Sequence, residues 1–155
     1  MKLPLIALTM GDVSGIGPQL LDVLCSGSEI FQICRPVVYG NAAVFRRASQ
    51  QSGSQLQIRE IESISDSLEF RVGIANCIDR GNSNVAYDYL VSAIDDCLSG
   101  EMDAITTAPL NKESLRLAGI DYPGHTEILA DRCGVADYGM MLYLPHGAAI
   151  QSPAG

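Results

Sequence analysis

The stretch Leu3-Pro4-Leu5-Ile6-Ala7-Leu8-Thr9-Met10, followed by Gly11-Asp12-Val13-Ser14-Gly15-Ile16-Gly17-Pro18, decides the fold class. A short, nearly continuous apolar run fits a strand buried on both faces, the environment of a parallel sheet. The glycines that follow make a turn. Pro18 suits the first turn of a helix, where its missing N–H leaves no hydrogen bond unmade. Leu20, Leu21, Val23 and Leu24 continue that helix to Cys25, and Gly27 is a stop signal.

Outward from this start, strand-like and helix-like stretches alternate. Phe31–Tyr39 reads as a second strand, with Gly40-Asn41 as its turn and Ala42–Gln51 as a helix. Gln55–Ile61 and Leu68–Ile74 read as further strands. Asn82–Ser99 is the clearest helix, with Ala86, Leu90, Ala93, Ile94 and Cys97 at helical spacing and Gly100 as its end. Met102–Thr107 is a short strand, Asn111–Leu117 a short helix, Pro123-Gly124 a turn, Thr126–Arg132 another helix and Tyr138–Leu144 a last apolar strand. This alternation predicts an α/β fold with a largely parallel sheet and helices on both faces.

Composition narrows the function. The 155 residues carry 10 Lys+Arg against 18 Asp+Glu, a net charge of −8, and 47% of them are apolar. That content fills the core of one domain and argues against disorder. An acidic chain lacks the basic face that a nucleic-acid partner requires. No apolar stretch is long enough to span a bilayer, and no basic amphipathic helix suggests a membrane surface. The apolar start is interrupted by Pro4 and followed by Asp12 with no small-residue cleavage site, so it is read as a strand and not as a signal peptide. The five cysteines, 25, 34, 77, 97 and 133, are odd in number, widely spaced and without C-x-x-C; they read as reduced cytoplasmic thiols.

Three motifs carry chemistry. In the first, the glycines at 11, 15 and 17 match neither G-x-G-x-x-G nor a P-loop. They suit either a tight strand-to-helix connection or a close approach of backbone N–H groups to an anion. Asp12 is a helix-flanking acceptor or a ligand contact. The second motif, Thr106-Thr107-Ala108-Pro109-Leu110-Asn111-Lys112-Glu113, follows a predicted strand, where ligands of open parallel sheets bind. Asn111 is a good N-cap. Lys112 in the first helical turn is either solvated or matched to an anion, because the helix dipole does not favour a cation there. The third, Tyr122-Pro123-Gly124-His125-Thr126-Glu127, places His125 and Thr126 at a helix start. There they either meet a ligand oxygen or serve as a surface turn residue and a cap. His146, twenty-one positions on, does not complete a metal motif and reads as a loop residue. A G-x-S-x-G elbow is absent from the sequence.

Together and in order, Leu8-Thr9-Met10-Gly11-Asp12 with Gly15-Ile16-Gly17-Pro18, Thr107 to Glu113, Tyr122 to Glu127 and Met141-Leu142-Tyr143-Leu144-Pro145 resemble the 4-hydroxythreonine-4-phosphate dehydrogenase (PdxA-type) family. Val13-Ser14 and Gln19 depart from the Pro-Ala and acidic residue common there. The resemblance implies that residues 1–155 form the N-terminal part of a two-domain dehydrogenase, with the C-terminal metal- and NAD-binding part absent.

It further implies NAD-dependent oxidative decarboxylation of a phosphorylated four-carbon hydroxy acid. The first expectation is 4-phosphohydroxy-L-threonine, in pyridoxal phosphate biosynthesis. D-threonate or D-erythronate 4-phosphate is the alternative, and a truncated, non-catalytic phospho-acid-binding relic is a further one. The family's substrate-binding pair falls on His125 and Thr126, while Asp12, Asn111 and Lys112 become substrate-proximal candidates. A homodimer in the cytoplasm is implied, with NAD and a divalent metal ion whose three histidine ligands lie outside this chain. The chain alone is then expected to be inactive.

Overall fold

The structure is a computed structural model that describes residues 2–64, 68–80, 86–141 and 143. In chain order its elements are β1 (Leu5–Thr9), α1 (Gly17–Ser26), α2 (Ile30–Ile33), β2 (Arg35–Tyr39), α3 (Ala42–Ser52), β3 (Gln57–Glu60), β4 (Ile74–Ile78), α4 (Ala86–Leu98), β5 (Ala104–Thr107), α5 (Lys112–Leu117) and α6 (His125–Cys133). The five strands form one sheet in the order β3-β4-β2-β1-β5. Every adjacent pair is parallel, with Ala7 opposite Val37 on one side of β1 and opposite Ile105 on the other. The expected α/β class and parallel sheet are therefore observed.

Strand alternation divides the core into two layers. Leu8 and Met10 point to the face where Leu21 and Cys25 of α1, Val38 of β2 and Phe45 of α3 pack. Ala7, Val37 and Tyr39 point to the other, against Tyr89 and Ala93 of α4. A third cluster, Leu90, Ile94, Leu115 and Ile128, ties α4 to α5 and α6. Tyr87 stacks on Tyr122 with ring centroids 6.1 Å apart, and Arg132 of α6 pairs with Asp95 of α4. The helices α1 and α3 that follow β1 and β2 lie on one face, and α4, which leads into β5, lies on the other. Strand order thus reverses between β1 and β5, where the loops leave the sheet in opposite directions and open a crevice at the carboxyl ends.

Three strand boundaries differ from expectation. Residues 31–33 belong to a helical turn, closed by Cys34 N–H donating to the Ile30 carbonyl at 3.0 Å. β1 offers no pairing partner before Leu5, which meets Arg35, so the second strand starts at Arg35. The strand expected over Leu68–Ile74 is displaced to Ile74–Ile78, because Gly73 at φ +84° turns the chain immediately before it. Asn76 interrupts the apolar pattern of that buried strand, and its Nδ2 donates to the Glu69 carbonyl at 2.9 Å. Tyr138–Met141 and Tyr143 form no strand and pair with none of the five; Met140, Met141 and Tyr143 are each more than 80% exposed. Leu142, Leu144 and residues 82–85 of the long helix lie outside the described residues.

β5 is an edge strand, and Ala104 and Thr106 on it are exposed. Beside Thr106 runs an apolar groove of about 480 Å³ that includes Ile6, Leu8, Leu24, Ile30 and Ile33. Cys25 and Cys77 pack as small apolar side chains, and burial pushes each thiol up to about 12. All five cysteines are free thiols. No described helix is long and apolar enough to cross a membrane.

Two buried carboxylates are satisfied by hydroxyls and, at Asp96, a guanidinium. Asp22 accepts from Ser52 Oγ at 2.6 Å and Ser54 Oγ at 2.5 Å, which fastens α1 to the end of α3. Asp96 accepts from Tyr39 Oη at 2.6 Å and from Arg80 at 2.8 and 2.9 Å, which fastens α4 to β2. Tyr39→Phe removes one hydrogen bond to a charged acceptor in a fully buried site. It is expected to cost about 1.5–3 kcal/mol. A urea unfolding midpoint that falls with an unchanged slope checks this.

Candidate functional site

The loops after β1 and β5 are built against one another without intervening side chains. The β1–β5 pairing continues beyond the strands, with Ala108 N–H donating to the Thr9 carbonyl at 3.0 Å and Asp12 N–H to the Pro109 carbonyl at 3.1 Å. Gly11 has φ +69°, and a Cβ there would sit 2.4 Å from the Pro109 oxygen. At Gly17 a Cβ would sit 1.8 Å from the Met10 oxygen and 3.2 Å from the Ala108 methyl. Of the two readings of the glycine loop, these two glycines answer to the tight connection: the space a side chain would fill is occupied by the protein's own backbone.

Asp12 uses both carboxylate oxygens. Oδ1 accepts from the Ser14 N–H at 2.9 Å and Ser14 Oγ at 2.6 Å, and Oδ2 accepts from Ser114 Oγ at 3.2 Å. Burial pushes its carboxyl upward, but the bonds from Ser14, Ser114 and Asn111 together outweigh this and hold it below the usual carboxylate value. Asn111 caps α5 as expected, its Oδ1 accepting from the Glu113 N–H at 2.9 Å and the Ser114 N–H at 3.2 Å. Asp12, Ser14, Asn111 and Ser114 line one crevice of about 230 Å³, together with the apolar Val13, Ala86 and Leu115. Lys112 is exposed in the first turn of the same helix.

His125 and Thr126 open α6. The N-cap is Gly124, with no side-chain cap, so Thr126 lies one residue inside the helix and does not cap it. The first N–H groups of α6 therefore receive no side-chain acceptor, and the dipole makes that end positive. His125 is half-buried and its Nε2 is a buried atom with no hydrogen-bond partner. Burial lowers the imidazole below 6.5, and the opposing pull of the Ala108 carbonyl against the ring is weaker. Thr126 lines a separate, largely apolar groove with Leu129, Ala130, Cys133 and Tyr138.

The predicted residues thus fall into two places. The crevice joins Asp12 and Asn111. His125 reaches the same Ala108-Pro109 turn and is not among the crevice's lining residues, and Thr126 faces the groove beyond it. Ser14 and Ser114 escaped the sequence reading. Ser114 carried only its spacing of three from the cap Asn111, and its meeting with Asp12 depends on β5 lying beside β1. Among the described residues no group of three or more His, Cys, Asp or Glu could hold a metal ion. His146 lies outside the described residues.

A family model described as "Pyridoxal phosphate biosynthetic protein PdxA" matches residues 32–147. A D-threonate 4-phosphate dehydrogenase of Cupriavidus necator is 35% identical over 92% of this chain and 47% of its own length. The crystal structure of a 4-hydroxythreonine-4-phosphate dehydrogenase of Burkholderia phymatum superposes with a TM-score of 0.85 at 38% identity, over 94% of this chain and 48% of that one. The Klebsiella pneumoniae enzyme of the same name gives 0.83 at 33% identity, over 92% and 47%. The chain spans about half the length of the relatives it matches. The family match covers most of the chain and includes the second and third motifs, and the relatives extend the likeness over the first. The chain belongs to the PdxA family.

Proposed function

We propose that this chain is the substrate-holding part of an NAD-dependent dehydrogenase for a phosphorylated four-carbon hydroxy acid, with His125 and Thr126 as its substrate contacts. The observation that carries the reading is the buried, unpartnered Nε2 of His125 at the open N-terminus of α6. Buried polar atoms are normally paired, and an unpaired one beside a positive helix end suits an anionic, hydroxylated ligand. Burial lowers the imidazole below its ordinary value, and a neutral imidazole offers one nitrogen as an acceptor for a substrate hydroxyl. The N–H groups of the first turn of α6 favour the negative charge of the same ligand. Asp12, Asn111 and Lys112 remain substrate-proximal in this reading.

The reading takes NAD, a divalent metal and a homodimer in the cytoplasm from the family resemblance. When bound, NAD accepts the hydride of a secondary alcohol. The described residues do not fit the metal, because they contain no group of three or more ligands, and no step is routed through it. Between the two substrates, the sequence resemblance favours 4-phosphohydroxy-L-threonine and the name of the C. necator relative favours D-threonate 4-phosphate.

The test has two arms. The chain is titrated with each phosphorylated acid by calorimetry, and His125→Ala is expected to weaken binding about 10-fold, the loss of one hydrogen bond in a partly buried site. The chain is also fused to the remaining half of the C. necator relative and assayed for NADH formation with both substrates. Turnover supports the dehydrogenase. Binding without turnover in any context supports the non-catalytic relic, and neither binding nor turnover removes the proposal.

A second prediction concerns pH. The folded value of His125 is below 6.5, so just under 6.5 the unfolded chain binds more protons than the folded one. Stability is therefore expected to fall as pH drops from 6.5 towards the folded value and to level off below it. His125→Gln should flatten that segment of the pH–stability curve, measured by thermal unfolding.

A further inference from the structure

We propose that the apolar groove beside β5, with the open edge of that strand, is the seat of the second half of a PdxA-family chain, which lays an amphipathic helix beside α1 and pairs an extended segment with β5. The two faces of β5 are unequal. Ile105 packs against the layer of Tyr89 and Ala93 under α4. Ala104 and Thr106 face the side of α1 and are exposed, and the groove of about 480 Å³ opens there. Its floor is Ile6 and Leu8 of β1 with Thr106, and its wall is Leu24 of α1 with Ile30 and Ile33 of α2. Among the described residues no helix covers β5 on this face, although a parallel sheet is ordinarily covered on both.

The helix that walls the groove is itself apolar on two sides. Leu21 and Cys25 of α1 turn inward, and Asp22 ties its flank to Ser52 and Ser54. Ile16, Leu20, Val23 and Leu24, spaced i, i+4, i+7 and i+8, form a second apolar stripe that stays exposed, Val23 by 71%. A helix apolar on two faces suits two packing neighbours. The backbone edge is open as well. Asp103 N–H donates to the Leu5 carbonyl at 2.9 Å, on the β1 side. Backbone groups alternate between the two edges of a strand, so those of Ala104 and Thr106 point away from β1. Among the described residues β1 is the only strand that pairs with β5.

Two observations name the occupant. The chain covers 47% of the C. necator relative and 48% of the B. phymatum structure, so each of them has about as much chain again outside the matched part. A second copy of this chain fits worse. Each copy carries a net charge of −8 and brings its own Glu29 to the groove, and like charges oppose self-association. The surface lies apart from His125, and its occupant does not depend on the substrate reading.

The test compares the 155-residue chain with its fusion to the second half of the C. necator relative. Hydrogen exchange at the Ala104 and Thr106 amides is expected to be fast in the chain alone and about tenfold slower or more in the fusion. The Ile105 amide, which faces β1, should change less. Leu24→Glu should hardly alter the unfolding temperature of the chain alone, where Leu24 is 42% exposed, and should lower that of the fusion by several degrees. Leu117→Glu, at an exposed position of α5 outside the groove, should act alike in both. Thr106→Pro is tolerated at a free sheet edge and should return the Ala104 amide of the fusion to fast exchange.

Should the fusion aggregate, the second half is co-expressed with the chain. Copurification that Leu24→Glu abolishes and Leu117→Glu spares then supports the proposal, and its absence overturns it. Fast exchange at Ala104 and Thr106 in a folded fusion also overturns it, as does an equal effect of Leu24→Glu on both proteins. A chain that sediments as a dimer and becomes a monomer with Leu24→Glu makes a second copy the occupant and overturns it too. None of these readouts uses NADH formation or ligand affinity, so failure of the dehydrogenase reading is seen separately.

Discussion

The Met10 and Pro109 carbonyl oxygens leave no room for side chains at residues 17 and 11. The rest of the molecule depends on that constraint. It lets β1 end, turn and start α1 within the thickness of the sheet, and it lets the next loop, from β5, settle directly on the first. A Cβ at Gly17 would press on backbone, which cannot yield as a flexible side chain can. The crevice at the carboxyl ends of β1 and β5 exists because two backbones meet there, and the groups around it are spaced by peptide geometry.

Charge follows from the same architecture. A chain with net charge −8 buries carboxylates only where donors are built in. Asp22 is met by two serines of one helix end, and Asp96 by a tyrosine and an arginine. Asp12, less buried, gathers donors from both loops of the switch point. In each case the carboxylate joins elements far apart in sequence, so these groups act as ties between layers. His125 is the opposite case: its Nε2 is buried and unpaired, which is why the candidate site centres on it and not on the acids.

The open face of β5 has a counterpart in the comparisons. Parallel strands are ordinarily covered on both faces, yet Ala104 and Thr106 are exposed beside an apolar groove, in a chain that spans about half the length of its relatives. Tyr138–Met141 are likewise apolar and exposed. Their sequence reads as a strand because hydropathy reports burial. A strand also needs a neighbour to take its backbone hydrogen bonds, and none of the described strands supplies one.

Local chemistry is legible in sequence. The first strand, the glycine turn, Pro18 in the first turn of α1, the Asn111 cap and the α4 stripe each depend on residues within one or two turns of each other, and the structure places all of them where the pattern did. The second strand was read too early and the fourth displaced, since register depends on where β1 begins and on the bend at Gly73. His125 could be picked out at a helix start, but not the buried state of its Nε2. Nor could sequence tell that Gly11 and Gly17 serve backbone packing, or that Asp12 meets Ser114. The Gly11 contact and the Asp12–Ser114 bond require β5 to lie beside β1, a neighbour relation between residues about a hundred positions apart. Sequence alone determined the first strand, the glycine turn after it, the Asn111 cap and the apolar stripe of α4. The tertiary structure decided which loop ends touch, because only the strand order brings their backbones within hydrogen-bonding distance.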